Sequence, residues 1–281
     1  MASIKLRKHE SFYIREGWFE KAINTIHESN TNIFYKNDGI RYLGIGANMV
    51  KSLKYWLKAA GIIDGKENEL TQFAQLLLKY DQYLDESFSW YLIHYYLIAN
   101  QEECPVFYEI VNSDMNTFSK TDLDEYLFEK FALTDPKINR NSIDSDVTVF
   151  LKSYFNDEPA TNPEENYVCP LSRLRLIKKD KNGYMKTRPA YTSLSYLIVY
   201  YVLSQIYNYE PFDIEDSMHV INSPYRIFNL DKFMYLQFLD EASRNGLINI
   251  DRTAGLNTVY FEKKLTLEEV FAEAFGGDLN V

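Results

Sequence analysis

Residues 43–61 read LGIGANMVKSLKYWLKAAG, and how this stretch is read decides the fold. Gly44 and Gly46 open it. A helical run starts near Ala47 or Asn48. Met49, Val50, Leu53, Trp56, Leu57 and Ala60 recur at the i, i+3, i+4, i+7 spacing of one buried helix face. The remaining positions hold Asn48, Lys51, Ser52, Lys54, Tyr55 and Lys58, a cationic and hydrogen-bonding face with no acid in it. Gly61 stands where a C′ glycine ends a helix. A short helix after a tight turn, apolar inside and cationic outside, is what a helix-turn-helix needs for recognition.

Working outward, Trp18, Phe19, Ala22, Ile23 and Ile26 predict a helix from about Arg15 or Gly17 to Ser29, followed by a turn at Asn30–Asn32. Asn37 or Asp38 is placed to cap a short second helix with Ile40 and Leu43 inward. After Gly61, Asp64-Gly65 between short segments reads as a hairpin. Helix, helix, turn, helix and hairpin is the order of a winged helix. Thr71 then caps a helix over Gln72–Tyr80.

The middle reads as helical. Glu86–Asn100 is aromatic nearly all round and is expected to be a buried helix. Cys104–Asp114 follows, with Pro105 in its first turn. Ser119 or Thr121 is expected to cap Asp122–Phe131. Asn141 or Ser142 should cap a helix ending near Phe155 with Val147, Phe150, Leu151 and Tyr154 inward. Asn156–Asn166 reads as a linker.

Beyond it, Leu174–Ile177 and Tyr184–Thr187 flank KDKNG, and Asn182-Gly183 signals a hairpin. Residues 167–188 carry seven Lys/Arg against one Asp. Helices before a basic hairpin suggest a second winged-helix-like unit. Leu194–Tyr207 and Asp231–Asn245, the latter with Phe233, Leu236, Phe238 and Leu239 apolar, read as helices. Leu247–Ile250 and Thr258–Phe261 read as a terminal hairpin, and Leu265–Phe275 as a last helix. The expectation is a mostly α chain with small β-hairpins: a winged-helix-like domain at 1–82, a helical middle at 83–166, and a hairpin-and-helix region at 167–281. No repeat of fixed period is present.

Charge sharpens this division. The 281 residues carry a net charge of −10, which taken alone disfavours a polyanion as partner. Residues 1–66, however, hold 11 Lys/Arg against 6 Asp/Glu, and residues 67–166 hold 6 against 20. A basic opening and an acidic middle fit one polyanion-facing end and one protein-facing region. The aromatic content, 16%, serves cores or stacking surfaces, and its helical spacing favours cores. The longest apolar run, Trp90–Ala99, is too short to span a bilayer, and MASIKLRKHESF lacks the apolar region of a signal peptide. A cytoplasmic protein is expected, without membrane association.

Catalytic and metal chemistry find little support. GIGANMVKS places Val50 where a phosphate-binding loop needs glycine before Lys51-Ser52. The four histidines form no i, i+4 pair. His9 with Arg15 and Glu16 reads as a polar network at the N-terminus, His27-Glu28 as no metal or acid–base site, and His94, among tyrosines, as a core histidine. Asp81, Asp85 and Glu86, and likewise Asp122, Asp124 and Glu125, read as solvated acidic clusters that could also hold Mg²⁺ in a nuclease. Cys104 and Cys169, with no CxxC pair, read as buried thiols. No cofactor or metal is expected.

HESFYIREGW at 9–18, LGIGANMVKSLKYWLKAAGI at 43–62, YLDESFSWYLIHYYL at 83–97, SDVTVFLKSY at 145–154, PLSRLRLI at 170–177, NSPYRIFNL at 222–230 and TAGLN at 253–257 together resemble a bacterial family of unknown function. The resemblance spans nearly the whole chain. It implies a setting in anti-phage islands of DNA phosphorothioation or bacteriophage-exclusion type, beside phosphoadenosine-phosphosulfate-reductase-like proteins. It brings no catalytic residues.

The function expected is therefore that of a non-enzymatic DNA-binding or adaptor subunit of a phage-defence or DNA-modification system. Lys51, Lys54 and Lys58 would meet phosphates, and Asn48, Ser52 and Tyr55 would reach base edges or sugars. Arg41 and Lys66 would flank them, and Arg173, Arg175, Lys178 and Lys179 would supply the second basic patch. The partners are duplex DNA and a protein, a reductase-like or ATPase component. The alternatives are a protein-only adaptor and a metal-dependent nuclease.

Overall fold

Trp18, Phe19, Ala22, Ile23 and Ile26 form the buried stripe of α1 (Trp18–Ser29) in a computed structural model of the chain, which describes residues 4–29, 32–34, 38–155, 168–253 and 257–276. α2 (Asp38–Leu43) and α3 (Ala47–Ala59) follow. Gly44 turns the chain between them at φ +65°, a left-handed conformation that suits glycine. Gly39 meets a different need: a Cβ there would stand 2.6 Å from Val50 Cγ1, so α2 approaches α3 only without a side chain at that point. Leu43 is buried as expected, but Ile40 is 39% exposed. A helix of six residues shelters only one flank against α3.

α3 ends as its glycine predicts. The Ile62 amide donates to Leu57 O at 2.8 Å and the Gly61 amide to Lys58 O at 3.1 Å, with Gly61 at φ +66°. These two bonds complete a Schellman cap. The hairpin expected next is reduced to one antiparallel bridge, Ile63–Leu70, flanked by a 3.0 Å bond from the Thr71 amide to Ile62 O. Thr71 caps α4 (Gln72–Tyr80) by accepting from the Ala74 amide at 3.3 Å.

α5 (Ser87–Ala99) is apolar on every side and buried on nearly every side. α6 (Pro105–Asn112) leads to a two-residue strand, β1 (Thr117–Phe118). α7 (Lys120–Ala132) begins with a capping box between Ser119 and Asp122. α8 (Arg140–Tyr154) is capped by Asn139, two residues before the expected Asn141 or three before Ser142, and buries Val147, Phe150, Leu151 and Tyr154. The linker expected at Asn156–Asn166, the alternative cap Asn37, Asn30 and Thr31 of the first turn, and most of TAGLN lie outside the described residues.

A 3₁₀ turn, Pro170–Leu174, occupies the approach to the expected strand at Leu174–Ile177. The hairpin itself is β2 (Ile177–Asp180) and β3 (Gly183–Lys186), with only Lys181 and Asn182 in its turn, so Lys178 and Lys179 stand within a strand. β1 pairs with β3, giving the order β1-β3-β2. Gly183 lies where a Cβ would come 2.5 Å from Phe118 O, which explains how β1 packs so close.

The chain divides into two compact units, residues 1–187 and 188–281. This differs from the divisions expected near residues 82 and 166. Phe19 stacks on Trp90 and Phe73 packs on Tyr96, which join the opening helices to the middle, while β1 holds the basic hairpin to the same unit.

The second unit contains α9 (Tyr196–Tyr207), β4 (Phe212–Asp213), α10 (Ile214–His219), α11 (Pro224–Ile227), α12 (Lys232–Arg244), β5 (Ile248–Asp251), β6 (Thr258–Phe261) and α13 (Leu267–Ala274). Its sheet order is β4-β6-β5. Phe238 and Leu239 on α12 are buried, but Phe233 is 69% exposed. Both sheets therefore follow one plan: a short strand, helices, then two strands of which the last lies in the middle. Trp56, Tyr91, Phe150 and Tyr154 are fully buried in the first unit, and Tyr200, Tyr235, Phe238 and Phe271 nearly or fully so in the second, so these aromatics serve cores. The fold is mostly α with small antiparallel sheets. No helix among the described residues is long and apolar enough to cross a membrane.

Candidate nucleic-acid interface

α3 is fixed from its inner side. Trp56 is buried, donates from Nε1 to Phe12 O at 2.9 Å, and stacks on His9. Leu53 and Leu57 are buried beside it. The outer side divides into two halves with different fates.

The N-terminal half is open. Gly46, Ala47, Asn48 and Lys51 are exposed. Gly46 stands at the N-cap in extended conformation, φ −64° and ψ 157°, and no side chain caps the helix start. A Cβ on Gly46 would meet nothing within 4 Å. The first amides of α3 have no intrahelical acceptor. Lys54 is half-buried, its ammonium 5.7 Å from the Phe34 ring centre. Arg41 is exposed on α2 and lies over the Tyr42 ring, donating to its hydroxyl at 3.1 Å.

Toward the C-terminus the surface is partly covered: Tyr55 and, on the inner side, Ser52 are withdrawn, which corrects two expected contacts, and Lys58 is ion-paired. Ser52 is fully buried and its hydroxyl donates to Phe12 O at 3.4 Å. The Tyr55 hydroxyl donates to Glu103 O at 2.8 Å and lies 3.3 Å from Cys104 Sγ. Burial, with Cys104, Asp146 and Glu103 nearby, pushes this phenol well above its ordinary range. Lys58 donates to Glu103 Oε1 at 2.7 Å. The turn before α6 thus folds an acid from the acidic middle onto the cationic helix. Lys5, which sequence reasoning missed, reaches the same oxygen at 2.7 Å and Glu102 at 2.6 Å. Its partners lie almost a hundred positions away, so nothing in its own neighbourhood marks it. Burial pushes the Glu103 carboxyl up, but Lys5 and Lys58 outweigh it and hold the group below its ordinary value of 4.5.

Lys66 is exposed in the loop between Ile63 and Leu70. In the second patch, Lys178 and Lys179 are exposed on β2, with Lys179 5.8 Å from the Phe155 ring centre. Arg175 is exposed at the end of the 3₁₀ turn, in left-handed conformation at φ 54°. Arg173 is paired with Glu16. Lys186 is spent on structure, donating to Val111 O at 3.0 Å and Ser113 O at 2.6 Å at the end of α6.

The other titratable groups are mostly structural. His9 is buried with Nε2 3.0 Å from Asp146 Oδ1, off the line of a hydrogen bond, so its network runs to α8 instead of Arg15 and Glu16. His94 Nδ1 lies 2.7 Å from the Tyr154 hydroxyl in the core. Asp81, buried rather than solvated, accepts from the amides of Asp85 and Glu86. Asp122 belongs to the α7 cap. Burial pushes both thiols, Cys104 and Cys169, up to about 12. No three His, Cys, Asp or Glu side chains among the described residues are grouped to hold a metal ion.

Two crystal structures share this fold. One, described as magnesium ion-bound SspB, matches with a TM-score of 0.85 and 22% identity over 98% of this chain and 90% of that one. The other, SspB, matches with a TM-score of 0.82 at the same identity and coverage. No curated protein matches the sequence. Residues 6–275 match the model of the family described as protein of unknown function, DUF4007, and the chain belongs to that family.

Proposed function

We propose that the protein is a non-enzymatic DNA-binding adaptor whose first unit engages duplex DNA through the open half of α3, in the setting of phage defence or DNA modification that the sequence resemblance implies. The observation that carries this reading is an uncapped, exposed helix start followed by exposed Asn48 and Lys51. Free amides and the helix dipole at such an end favour a phosphate, and Lys51 adds an exposed positive charge one turn on. Asn48 is the side chain on this face suited to a base edge. Arg41, Lys54 and Lys66 extend the contact to flanking phosphates.

The order of α1, α2, α3 and the Ile63–Leu70 bridge is read as a winged helix with a minimal wing. Two further winged-helix-like units are read in the shared plan of the two sheets. In the middle one, α8 is largely buried, so DNA contact there would fall to the hairpin through Arg175, Lys178 and Lys179. The remaining surface is left for a protein partner, a reductase-like or ATPase component.

The test is an anisotropy titration of a labelled duplex at about 50 and 200 mM salt. Affinity should fall steeply with salt, and Lys51→Ala/Lys54→Ala should flatten the log–log slope by about 0.9 for each phosphate no longer neutralised. Salt-insensitive or absent binding in the wild type would leave the protein-only adaptor in its place.

A second reading, a metal-dependent nuclease, draws on the magnesium ion of the SspB structure. Asp124 is its best-placed carboxylate: Oδ1 is buried without a partner, and Lys120, 3.9 Å from Asp124, also pairs with Asp144. Nicking of a supercoiled plasmid with Mg²⁺, abolished in Asp124→Asn, would establish it in place of the adaptor.

A further inference from the structure

One oxygen, Glu103 Oε1, accepts from two ammonium groups, Lys5 Nζ and Lys58 Nζ, each at 2.7 Å. The carboxylate is rigidly placed. Its own residue's amide donates to Asn100 Oδ1 at 3.2 Å, its carbonyl accepts from Tyr55, and its side chain is only 12% exposed. The lysines are more open, with side-chain exposures of 32% for Lys5 and 41% for Lys58. Two cations converging on one anionic oxygen at this distance is the arrangement that a phosphate oxygen also takes. Lys58 is four residues beyond Lys54 and seven beyond Lys51, so the cationic face of α3 runs to this point.

We propose that Lys5, Lys58 and Glu103 form a phosphate-exchange site: Glu103 holds the two ammonium groups in the free protein, and a phosphodiester of bound duplex takes them over from it. The proposal rests on the reading of α3 as a DNA contact and extends that contact to the C-terminal half of the helix. No bond is made or broken beyond ion pairs. Glu103 sets the affinity, because every bound duplex that reaches Lys58 must displace a partly desolvated carboxylate. The site also excludes weak competitors: a lone small anion brings too little binding energy to displace Glu103, whereas a duplex already seated on Lys51 presents its next phosphate at high effective concentration.

The experiment is salt-dependent anisotropy with a labelled duplex, using the full chain. Glu103→Gln should bind several-fold tighter than wild type and show a slope steeper by up to about 0.9 for each lysine released to meet a phosphate. Adding Lys58→Ala to Glu103→Gln should abolish that gain. Should Glu103→Gln fail to fold, Lys58→Ala alone decides, with circular dichroism as the folding control: exchange requires its slope to be shallower by about 0.9, whereas a permanent structural bridge leaves the slope at the wild-type value. A wild type that binds DNA through Lys51 while Glu103→Gln gains nothing overturns the exchange site and leaves the α3 reading standing. Binding by neither protein overturns both.

Discussion

α3 and α12 are both thirteen residues long, and each runs into a pair of extended segments, yet their outer surfaces are finished in opposite ways. α12 is closed by its own unit. The Asp231 carboxylate caps its start by accepting from the Met234 amide at 2.8 Å and also pairs with Arg188. Lys232 is tied to Glu215, Asp240 to Arg252 at 2.7 Å, and Glu241 to the Tyr191 hydroxyl at 2.5 Å. α3 has a bare glycine at its start, and among the described residues the ion pair on its outer face is the one Lys58 makes with Glu103. Two helices in comparable positions thus differ in what is left unspent. Position in the fold does not confer a role; the unpaired groups do.

The largest expected effect tests whether the two helices are alike where they should be, on their inner faces. Trp56→Ala removes a fully buried ring and its bond to Phe12 O, and Tyr235→Ala removes a fully buried ring bonded to Ser217 at 2.7 Å. Each should cost about 3–5 kcal/mol in urea denaturation. A cost under about 1 kcal/mol for Trp56→Ala would mean that α3 is not a core helix, and the comparison with α12 would fail.

Exchanging the helix starts should break the contrast directly. Asp231→Ala, which leaves α12 uncapped, should cost about 1 kcal/mol. Gly46→Asp gives α3 the finish of α12. It should stabilise the first unit by a few tenths of a kcal/mol and, by placing a carboxylate where a phosphate is proposed to sit, weaken duplex binding. Unchanged duplex affinity in Gly46→Asp would show that the open helix start is not used.

Much of the fold is legible in the sequence. The α1 stripe, the limits of α3 and α4, the Gly61 cap and the buried α5 follow from local spacing and capping chemistry, which neighbours in sequence decide. β1 and β4 are two residues each, too short for any period to register. Ser52 reads as outward because it is polar, but Phe12 O offers its hydroxyl a buried acceptor forty residues upstream. Tyr55 and Lys58 read as available because no partner stands near them in sequence; the Glu103 carbonyl claims the first, and the Glu103 carboxylate, 45 residues beyond Lys58, pairs with the second. Periodicity tells which face of a helix is apolar. It does not tell which polar residues on the other face a distant turn will claim.

The smallest expected effect is a pH dependence that separates the half-buried Glu103 pair of α3 from the exposed pairs of α12. Burial opposes ionisation of Glu103, but Lys5 and Lys58 outweigh it, so the carboxyl lies below its ordinary value of 4.5. A carboxyl whose folded value lies below its unfolded one stabilises the protein fully above the unfolded value, and that contribution disappears as pH falls through the folded value. The stability difference between wild type and Glu103→Gln should therefore be constant from about pH 6 to 8 and shrink as pH drops below about 4.5, because other carboxylates titrate alike in both proteins and cancel. Glu102, exposed beside Lys5, stays in both proteins and cancels with them. Glu215→Gln, which breaks an exposed pair on α12, should change stability by less than about 0.5 kcal/mol at neutral pH. Urea denaturation across this pH series checks both variants. A wild-type minus Glu103→Gln difference that persists unchanged to about pH 3 would show that Glu103 acts through packing, with its charge contributing nothing.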